Sequence, residues 1–251
     1  MPYVFPVYPL GKDTPGAPVV PGAVQLYPYT PGPELGYAHW LFGGSDASLA
    51  PYGGSSTLSA QGTLHTWGSG YVNLPSYANA LVSNVPDARE QTFYAAVRYL
   101  PVAGKNVILA GNISLASQGA GLWIDPSGNV CTVLRNPSST VLVNHGPPAG
   151  AVPGDMIFVG LSKRVEGGVS KTRTLVGNTL YETAWPGLQD VSGSNRISAG
   201  NAYASTAVYT PADLRVAELL ILPAAADAAA KMLTVYSHSR ARLALRGILL
   251  K

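Results

Sequence analysis

Short apolar runs, each ended by Gly, Pro, Asn or Ser, follow one another along the chain from residue 36 to residue 222. The clearest run, QTFYAAVRY at 91–99, alternates between apolar side chains on one face and Tyr94 and Arg98 on the other, which predicts a half-buried strand. About a dozen such runs, with turn residues at roughly 8–12-residue spacing, are typical of an all-β sandwich. The pattern therefore predicts an antiparallel jelly-roll β-sandwich.

The last apolar run leads into the one segment that favours a helix. Residues 214–222, LRVAELLIL, carry enough apolar bulk for a strand buried on both faces, and Pro223 ends it. The Ala-rich sequence that follows has high helix propensity, and Asp227 precedes Lys231 by four residues, the spacing of a helical ion pair. We therefore predict one C-terminal helix at about 224–245.

Residues 1–35 differ from the rest of the chain because nine prolines are interleaved with aromatic and aliphatic side chains. This spacing excludes a helix or a central strand and favours an extended, polyproline-like arm. Two interpretations stay open: the arm packs on a neighbouring subunit or larger structure, or it folds back on its own domain. The first interpretation assigns assembly contacts to the apolar residues Tyr3, Phe5, Tyr8, Leu26, Tyr27 and Tyr29. We divide the chain into an assembly arm, 1–35, and one β-sandwich domain, 36–251.

The composition has few charges for a soluble protein. Charged residues make up 12% of the chain and apolar residues 47%, whereas a typical globular domain has about 25% charged residues. Such a surface favours coverage by neighbours, in an obligate oligomer or a large assembly. The alternative is a free β-sandwich whose surface is rich in Ser, Thr, Asn and Gly.

The net charge of +3 comes from the C-terminus. Five basic residues follow position 230 without an acid: Lys231, Arg240, Arg242, Arg246 and Lys251. Cations are favourable near the C-terminal end of a helix because they complement its dipole. Nucleic-acid binding is not favoured, since no stacking aromatics are interleaved with these residues.

The N-terminus shows no secretory pattern, because Met1 is followed by Pro-rich sequence in place of a basic segment and an apolar core. No apolar run approaches the ~18 residues of a membrane span. The single cysteine, Cys131, excludes an internal disulfide and lies in an apolar run, which favours a core position over a nucleophile. We expect a protein that is made and assembled in a cytoplasm.

The sequence predicts no catalytic residues. Glycosidases position two carboxyl groups in one groove, about 5–5.5 Å apart in retaining enzymes. None of the five glutamates has an acidic partner two or four positions later: Glu34, Glu90, Glu166, Glu182 and Glu218. We expect Glu218, on the last core strand, to be held by the backbone or by an arginine such as Arg215.

Metal and cofactor sites are not predicted either. The four histidines, His39, His65, His145 and His238, lie far apart without Cys, His or Asp at ligand spacing. Asp125 and Asn129 flank the turn Pro126–Gly128 and could supply two calcium ligands, but stabilisation of the turn is the favoured role.

Glycan binding is supported by exposed aromatic side chains, on which sugars stack. The candidates are Trp67, Trp123, Trp185, Tyr203 and Tyr209. The alternative for each is a place in the core or in an interface, because large aromatic side chains dominate both.

Four segments suggest a family. They are GYVNL at 70–74, TFYAAVR at 92–98, residues 154–162 with RTLVGN at 173–178, and residues 213–236 with Ala217-Glu218. Their order resembles the concanavalin A-like lectin/glucanase superfamily, in the laminin-G-like form common in phage and bacterial surface proteins. The resemblance covers about 36–248 and does not extend to residues 1–35.

The resemblance, the low charge and the arm lead us to expect a non-enzymatic structural virion protein of a tailed phage. It would be a tail-fibre or baseplate subunit, or a head decoration subunit, anchored by its arm to other virion structural proteins. The resemblance implies a homotrimer, and the sandwich would bind host surface glycans. Two alternatives stay open: a carbohydrate-binding adhesin outside a virion, and a glycoside hydrolase.

Overall fold

The computed structural model describes residues 38–62, 65–75, 79–114, 118–136, 139–204, 213–223 and 227–251. The predicted arm, with Tyr3, Phe5, Tyr8, Leu26, Tyr27 and Tyr29, lies outside the described residues. So does Tyr209.

The described residues form sixteen strands, one 3₁₀ turn and one α-helix. The strands are β1 (Ala38–Leu41), β2 (Gly53–Gly54), β3 (Leu58–Gln61), β4 (Thr66–Trp67), β5 (Val72–Leu74), β6 (Ala80–Pro86), β7 (Gln91–Arg98), β8 (Val107–Gly111), β9 (Ala120–Ile124), β10 (Val130–Asn136), β11 (Ser139–Asn144), β12 (Met156–Glu166), β13 (Val169–Val176), β14 (Thr179–Ala184), β15 (Arg196–Gly200) and β16 (Leu214–Pro223). The 3₁₀ turn spans Asp46–Leu49, and the helix α1 spans Ala229–Ala244.

The strands form two antiparallel sheets that pack face to face. The first sheet has the order β14-β13-β12-β7-β16-β1-β2, with β5 also paired to β16 and β4 to β5. The second has the order β11-β10-β9-β8-β15-β6-β3. The inner faces of the sheets meet in the core, and α1 lies on the outer face of the first sheet. The predicted antiparallel β-sandwich with one C-terminal helix is confirmed.

Strand β7 shows how the two layers are built. Phe93 and Val97 point into the core between the sheets, whereas Tyr94 points outward and packs with Phe158 and Tyr236 beneath α1. Tyr94 and Phe158 stack with ring centroids 5.7 Å apart. The prediction that β7 is half-buried is therefore wrong, because the helix covers the face that the alternation assigned to solvent.

The helix begins next to a buried aspartate. The backbone N–H of Asp227 donates to Thr92 Oγ1 at 3.0 Å and to Ser162 Oγ at 2.8 Å, and the hydroxyl of Tyr94 donates to Asp227 Oδ2 at 2.5 Å. Lys231 Nζ lies 3.1 Å from Asp227 Oδ1, which confirms the predicted ion pair. Asp227 thus fixes the start of α1 to β7 and β12. The helix starts at residue 229, later than the predicted 224, and residues 224–226 lie outside the described ranges.

Three of the basic C-terminal residues are used within the fold. Lys231 pairs with Asp227, Arg242 is buried, and Arg246 donates from Nη2 to the carbonyl of Phe42 at 2.5 Å. Their charges therefore contribute to helix docking, and only Arg242 lies in the last turn of α1, where a cation complements the helix dipole. In the part of the chain that the structure describes, no helix combines the length and the apolar character of a membrane span.

Candidate functional site

Glu218 lies on β16 beneath α1 and is fully buried. Its Oε1 accepts hydrogen bonds from Arg242, through Nε at 3.1 Å and through Nη2, and lies 2.6 Å from His39 Nε2. Burial alone would raise the pKa of Glu218, but Arg242 and His39 lower it to about 2. The prediction of a carboxylate held by an arginine is confirmed. The arginine is Arg242 and not Arg215, because α1 folds back over this part of the sheet.

A second interior carboxylate, Asp87, joins β12 to two loops. It accepts hydrogen bonds from Lys163 Nζ at 2.7 Å, from Gln189 Nε2 at 2.9 Å and from the backbone N–H of Ser192 at 3.1 Å. Burial lowers the pKa of Lys163, and the charge of Asp87 opposes that shift. With its oxygens occupied in this way, Asp87 acts as a structural anchor.

Two more glutamates are engaged at the surface, on the β12–β13–β14 side of the first sheet. Glu166 accepts from Lys171 Nζ at 2.6 Å and from Arg164 Nε at 3.1 Å. Glu182 accepts from Arg173 Nε at 2.5 Å. These pairs lower the pKa of both carboxyls, chiefly through the hydrogen bonds from Lys171 and Arg173.

Asp125 stabilises the turn Pro126–Gly128, the role that the sequence favoured over calcium binding. Asp125 Oδ1 accepts from the backbone N–H groups of Ser127 and Asn129, both at 2.9 Å, and Oδ2 accepts from Asn129 Nδ2 at 2.8 Å. Burial alone would raise the pKa of Asp125, but the hydrogen bonds from Asn129 lower it. Next to it, Cys131 is buried as predicted, and burial together with Asp125 raises the pKa of its thiol to about 11. A thiol with that pKa is a poor nucleophile at neutral pH.

The histidines lie in separate environments. His39 is next to Glu218, whereas His145 contacts Thr132 Oγ1 at 2.8 Å through Nε2, with its ring 4.6 Å from that of Tyr181. Burial lowers the pKa of both His39 and His145 to about 4. Among the described residues, no three His, Cys, Asp or Glu side chains form a group that could hold a metal ion.

Two of the aromatic residues predicted to contact glycans lie in the interior. Trp123 is 6% exposed and packs with Ile108 and Cys131, and Trp185 is 3% exposed and donates from Nε1 to Thr172 Oγ1 at 2.9 Å. Neither ring presents a face on which a sugar could stack. The assignment of these two indoles to glycan contacts is therefore corrected: their apolar area is used for packing.

Tyr203 is partly exposed, and its hydroxyl is used within the fold. It accepts from the backbone N–H of Arg196 at 2.8 Å and donates to the carbonyl of the same residue at 3.0 Å. Burial raises the pKa of Tyr203. The hydroxyl thus ties the loop after β15 to the start of that strand, and a glycan contact through its ring stays a prediction.

Trp67 differs from the other candidates because its partly exposed ring is held beside an exposed carboxylate. Its indole Nε1 donates to Asp46 Oδ1 at 2.6 Å, and its ring meets that of His65 edge to face at 5.9 Å. The ring also packs against the edge of the core between the sheets. The 3₁₀ turn and β4 thereby bring together three residues, Asp46, His65 and Trp67, which we call the Trp67 cluster.

The carboxylate of the Trp67 cluster faces outward, whereas its histidine is mostly buried. The side chain of Asp46 is 74% exposed and that of His65 is 19% exposed, with His65 Nε2 3.5 Å from Asp46 Oδ1. Since Oδ1 is bound by the indole, Oδ2 of Asp46 remains available to accept hydrogen bonds from a ligand. A fixed aromatic ring beside an exposed carboxylate suits a ligand with both C–H faces and hydroxyl groups, as in a sugar.

No protein-family model matches the sequence, and no curated protein matches it significantly. Solved structures do share the fold. The Trypanosoma rangeli sialidase in complex with sialic acid has a TM-score of 0.55 and 14% identity, over 80% of this chain and 32% of the sialidase chain. The binding domain of botulinum neurotoxin DC in complex with SialylT has a TM-score of 0.56 and 10% identity, over 79% of this chain and 50% of that one.

Botulinum neurotoxin type C, which depends on two ganglioside molecules for entering cells, is similar with a TM-score of 0.53, at 10% identity over 80% of this chain and 51% of the toxin chain. The chain thus spans about a third of the sialidase and about half of the toxin chains. At these identities the likeness concerns the β-sandwich fold. Membership of the concanavalin A-like superfamily stays a prediction.

Sequence reasoning singled out Trp67 but not its neighbours. Asp46 lies 21 residues before Trp67, and the two meet because the 3₁₀ turn packs beside β4. Ser45 marks the start of that turn, since its side chain accepts from the backbone N–H of Ala47 at 3.3 Å. A capping serine can predict the turn, but not which strand it packs against.

Proposed function

We propose that this chain is a non-catalytic, glycan-binding β-sandwich that serves as a subunit of a larger assembly. The observation that carries the proposal is the Trp67 cluster, in which an indole ring is fixed at the surface beside an exposed carboxylate. The sugar would stack on the open face of Trp67, and its hydroxyls would donate to Asp46 Oδ2. Because the hydrogen bond to Asp46 and the packing against the core already hold the ring, little side-chain entropy is lost on binding.

Two proteins that share the fold over part of their chains form complexes with sialylated ligands, which supports this choice of ligand. The sialidase and the neurotoxin binding domain are in complexes with sialic acid and SialylT. We extend the same ligand class, sialylated or otherwise acidic glycans, to this chain.

We propose that the chain is non-catalytic because three of its glutamates are engaged in ion pairs. Glu218, Glu166 and Glu182 are bound to cations, and the Trp67 cluster contributes one carboxylate, whereas most glycosidases use two. A virion of a tailed phage is the setting that the sequence resemblance implies, and the low charge of the chain fits a subunit covered by neighbours.

A glycan array with the full chain tests the proposal. Wild type should bind a subset of glycans, and Trp67→Ala should weaken binding by at least about tenfold because the stacking face is lost. Tyr181→Ala, a partly exposed aromatic on β14, is the matched control and should bind as wild type does. Absence of binding by wild type, or equal loss in both variants at unchanged thermal stability, would refute the Trp67 cluster as a glycan site.

A further inference from the structure

A row of polar side chains crosses the outer face of the first sheet, beyond the end of α1. Arg215 of β16 pairs with Asn73 of β5. On the other side of β16, Val216 pairs with Val97 of β7, so Arg98 lies next to Arg215. Both valines are in the core between the sheets. Since side chains alternate along a strand, Asn73, Arg215 and Arg98 lie together on the outer face, and we call them the Arg215 row.

The Arg215 row carries unbalanced positive charge. Arg98 Nη1 is 2.7 Å from Asp213 Oδ2, and this pair is partly exposed. Arg215 has no ion-pair partner within the described residues, and its guanidinium lies 4.7 Å from the ring centroid of Tyr71. Stacking on an aromatic face fixes the plane of a guanidinium and leaves its N–H edge available.

Three polar atoms of the row are buried without a hydrogen-bond partner among the described residues. They are Asn73 Oδ1, Arg98 Nε and Arg215 Nε. Buried polar atoms in folded proteins are nearly always paired, and an unpaired one lowers stability. These three atoms, on adjacent strands, mark a polar region that the fold itself does not satisfy. Because the atoms are covered, a ligand would contact the row through the terminal N–H groups of Arg215.

We propose that the Arg215 row is a binding site for the carboxylate of an acidic sugar. A guanidinium presents paired N–H groups that match the two oxygens of a carboxylate. Arg215 would hold the carboxylate through its terminal N–H groups, and Arg98 would add charge. The choice of a sugar rests on the proposed function, whereas the preference for an anion comes from the row alone.

The Arg215 row and the Trp67 cluster lie on opposite faces of the β4–β5 hairpin. Thr66 pairs with Asn73 and Trp67 with Val72, and side chains of neighbouring positions point to opposite faces.

The test compares two probes that differ by one charge: the methyl glycoside of N-acetylneuraminic acid and its methyl ester. Calorimetric titration of the full chain should show the acid binding about tenfold more tightly than the ester. Arg215→Met should reduce the affinity for the acid to that for the ester. Arg215→Lys keeps the positive charge but lacks the paired N–H groups of a guanidinium. Its affinity for the acid should therefore lie between those of wild type and Arg215→Met. Arg240→Met removes the same charge from an exposed position on α1 and should change nothing.

Each outcome decides the matter. Equal binding of acid and ester by wild type, no binding of either, or a preference for the acid that survives in Arg215→Met would overturn the inference. If Trp67→Ala abolishes glycan binding while Arg215→Met leaves the preference for the acid intact, the Arg215 row does not bind the carboxylate and the proposed function stands. If Arg215→Met removes the preference for the acid while Trp67→Ala has no effect on binding, the Arg215 row binds the carboxylate and the Trp67 cluster is not a glycan site. Thermal melts of each variant exclude loss of folding as the cause.

Discussion

At the scale of single residues, the interior holds charge in compensated pairs. Asp87 meets Lys163, and Glu218 meets Arg242, with at most 3% exposure of any of these four side chains. Removing one member of such a pair typically costs about 3–5 kcal/mol, because the other charge remains buried. Each pair therefore fixes which segments of the chain can lie together.

His39 and His145 should make folding stability depend on pH. Their pKa is about 4 in the fold, against 6.5 for an unperturbed histidine, because burial disfavours the charged ring. Between pH 6.5 and 4 the unfolded chain binds protons that the fold does not, so stability is full above 6.5 and falls as pH drops towards 4. For fully buried His39 the loss is about 3 kcal/mol.

Urea unfolding measured from pH 7 to pH 4 checks this expectation. His39→Gln removes the titrating ring next to Glu218. The free energy of unfolding should then fall less steeply with decreasing pH, and the remaining fall should be due to His145. Arg240→Met, at an exposed position on α1, is the control and should keep the wild-type slope. An identical slope in wild type and His39→Gln would show that His39 does not titrate in this range.

At the scale of elements, α1 depends on its contacts with the sheet. Its N-cap is Ala228, which makes no side-chain cap hydrogen bond, so the start of α1 depends on the hydrogen bonds that tie neighbouring Asp227 to β7 and β12. The middle packs through Met232 and Val235, and Arg242 fixes the last turn to Glu218. A helix of 16 residues is marginal by itself in water, since most helix stability comes from packing.

Arg242→Met should therefore destabilise the protein by about 3–5 kcal/mol, because it leaves the Glu218 carboxylate buried without its cation, with only neutral His39 beside it. Arg240→Met changes the same residue type on the exposed face of α1 and should cost less than about 0.5 kcal/mol. Urea unfolding at neutral pH measures both. Adding Glu218→Gln to Arg242→Met should recover part of the loss, and equal effects of the two arginine variants would contradict the role of the pair.

At the scale of the whole molecule, the chain has few charges, and the described part of the sandwich ends in strands that pair on one side only. Strands β14 and β11 end their sheets, and each is paired on one side within the described residues. Open edges are sites where another chain can add a strand. Together with 12% charged residues, this favours association with neighbours.

Deletion of residues 1–35 should lower the oligomeric mass, since we expect the Pro-rich arm to be held by other subunits. Light scattering of the full chain and of the truncated chain compares the two, and circular dichroism confirms that the sandwich is folded in both. An unchanged mass would favour the other interpretation, an arm folded back on its own domain. The mass of the full chain measured by light scattering also tests the predicted trimer.

The features that the sequence determined are those encoded within a few residues. Alternation predicted β7, Pro223 predicted the end of β16, and Asp125 predicted its turn, because each depends on hydrogen bonds or side-chain directions in one short segment. The i,i+4 spacing of Asp227 and Lys231 likewise predicted their ion pair.

Only the tertiary structure decided which residues are covered and which charges meet. Tyr94 is buried because a helix from the far end of the chain lies over it, and Glu218 binds Arg242 in place of nearby Arg215. Trp185 is in the core and Trp67 at the surface, although both are tryptophans in strand-like sequence. Burial and ion pairing depend on which distant segments pack together, and that is set by the free energy of the whole chain, not by any local pattern.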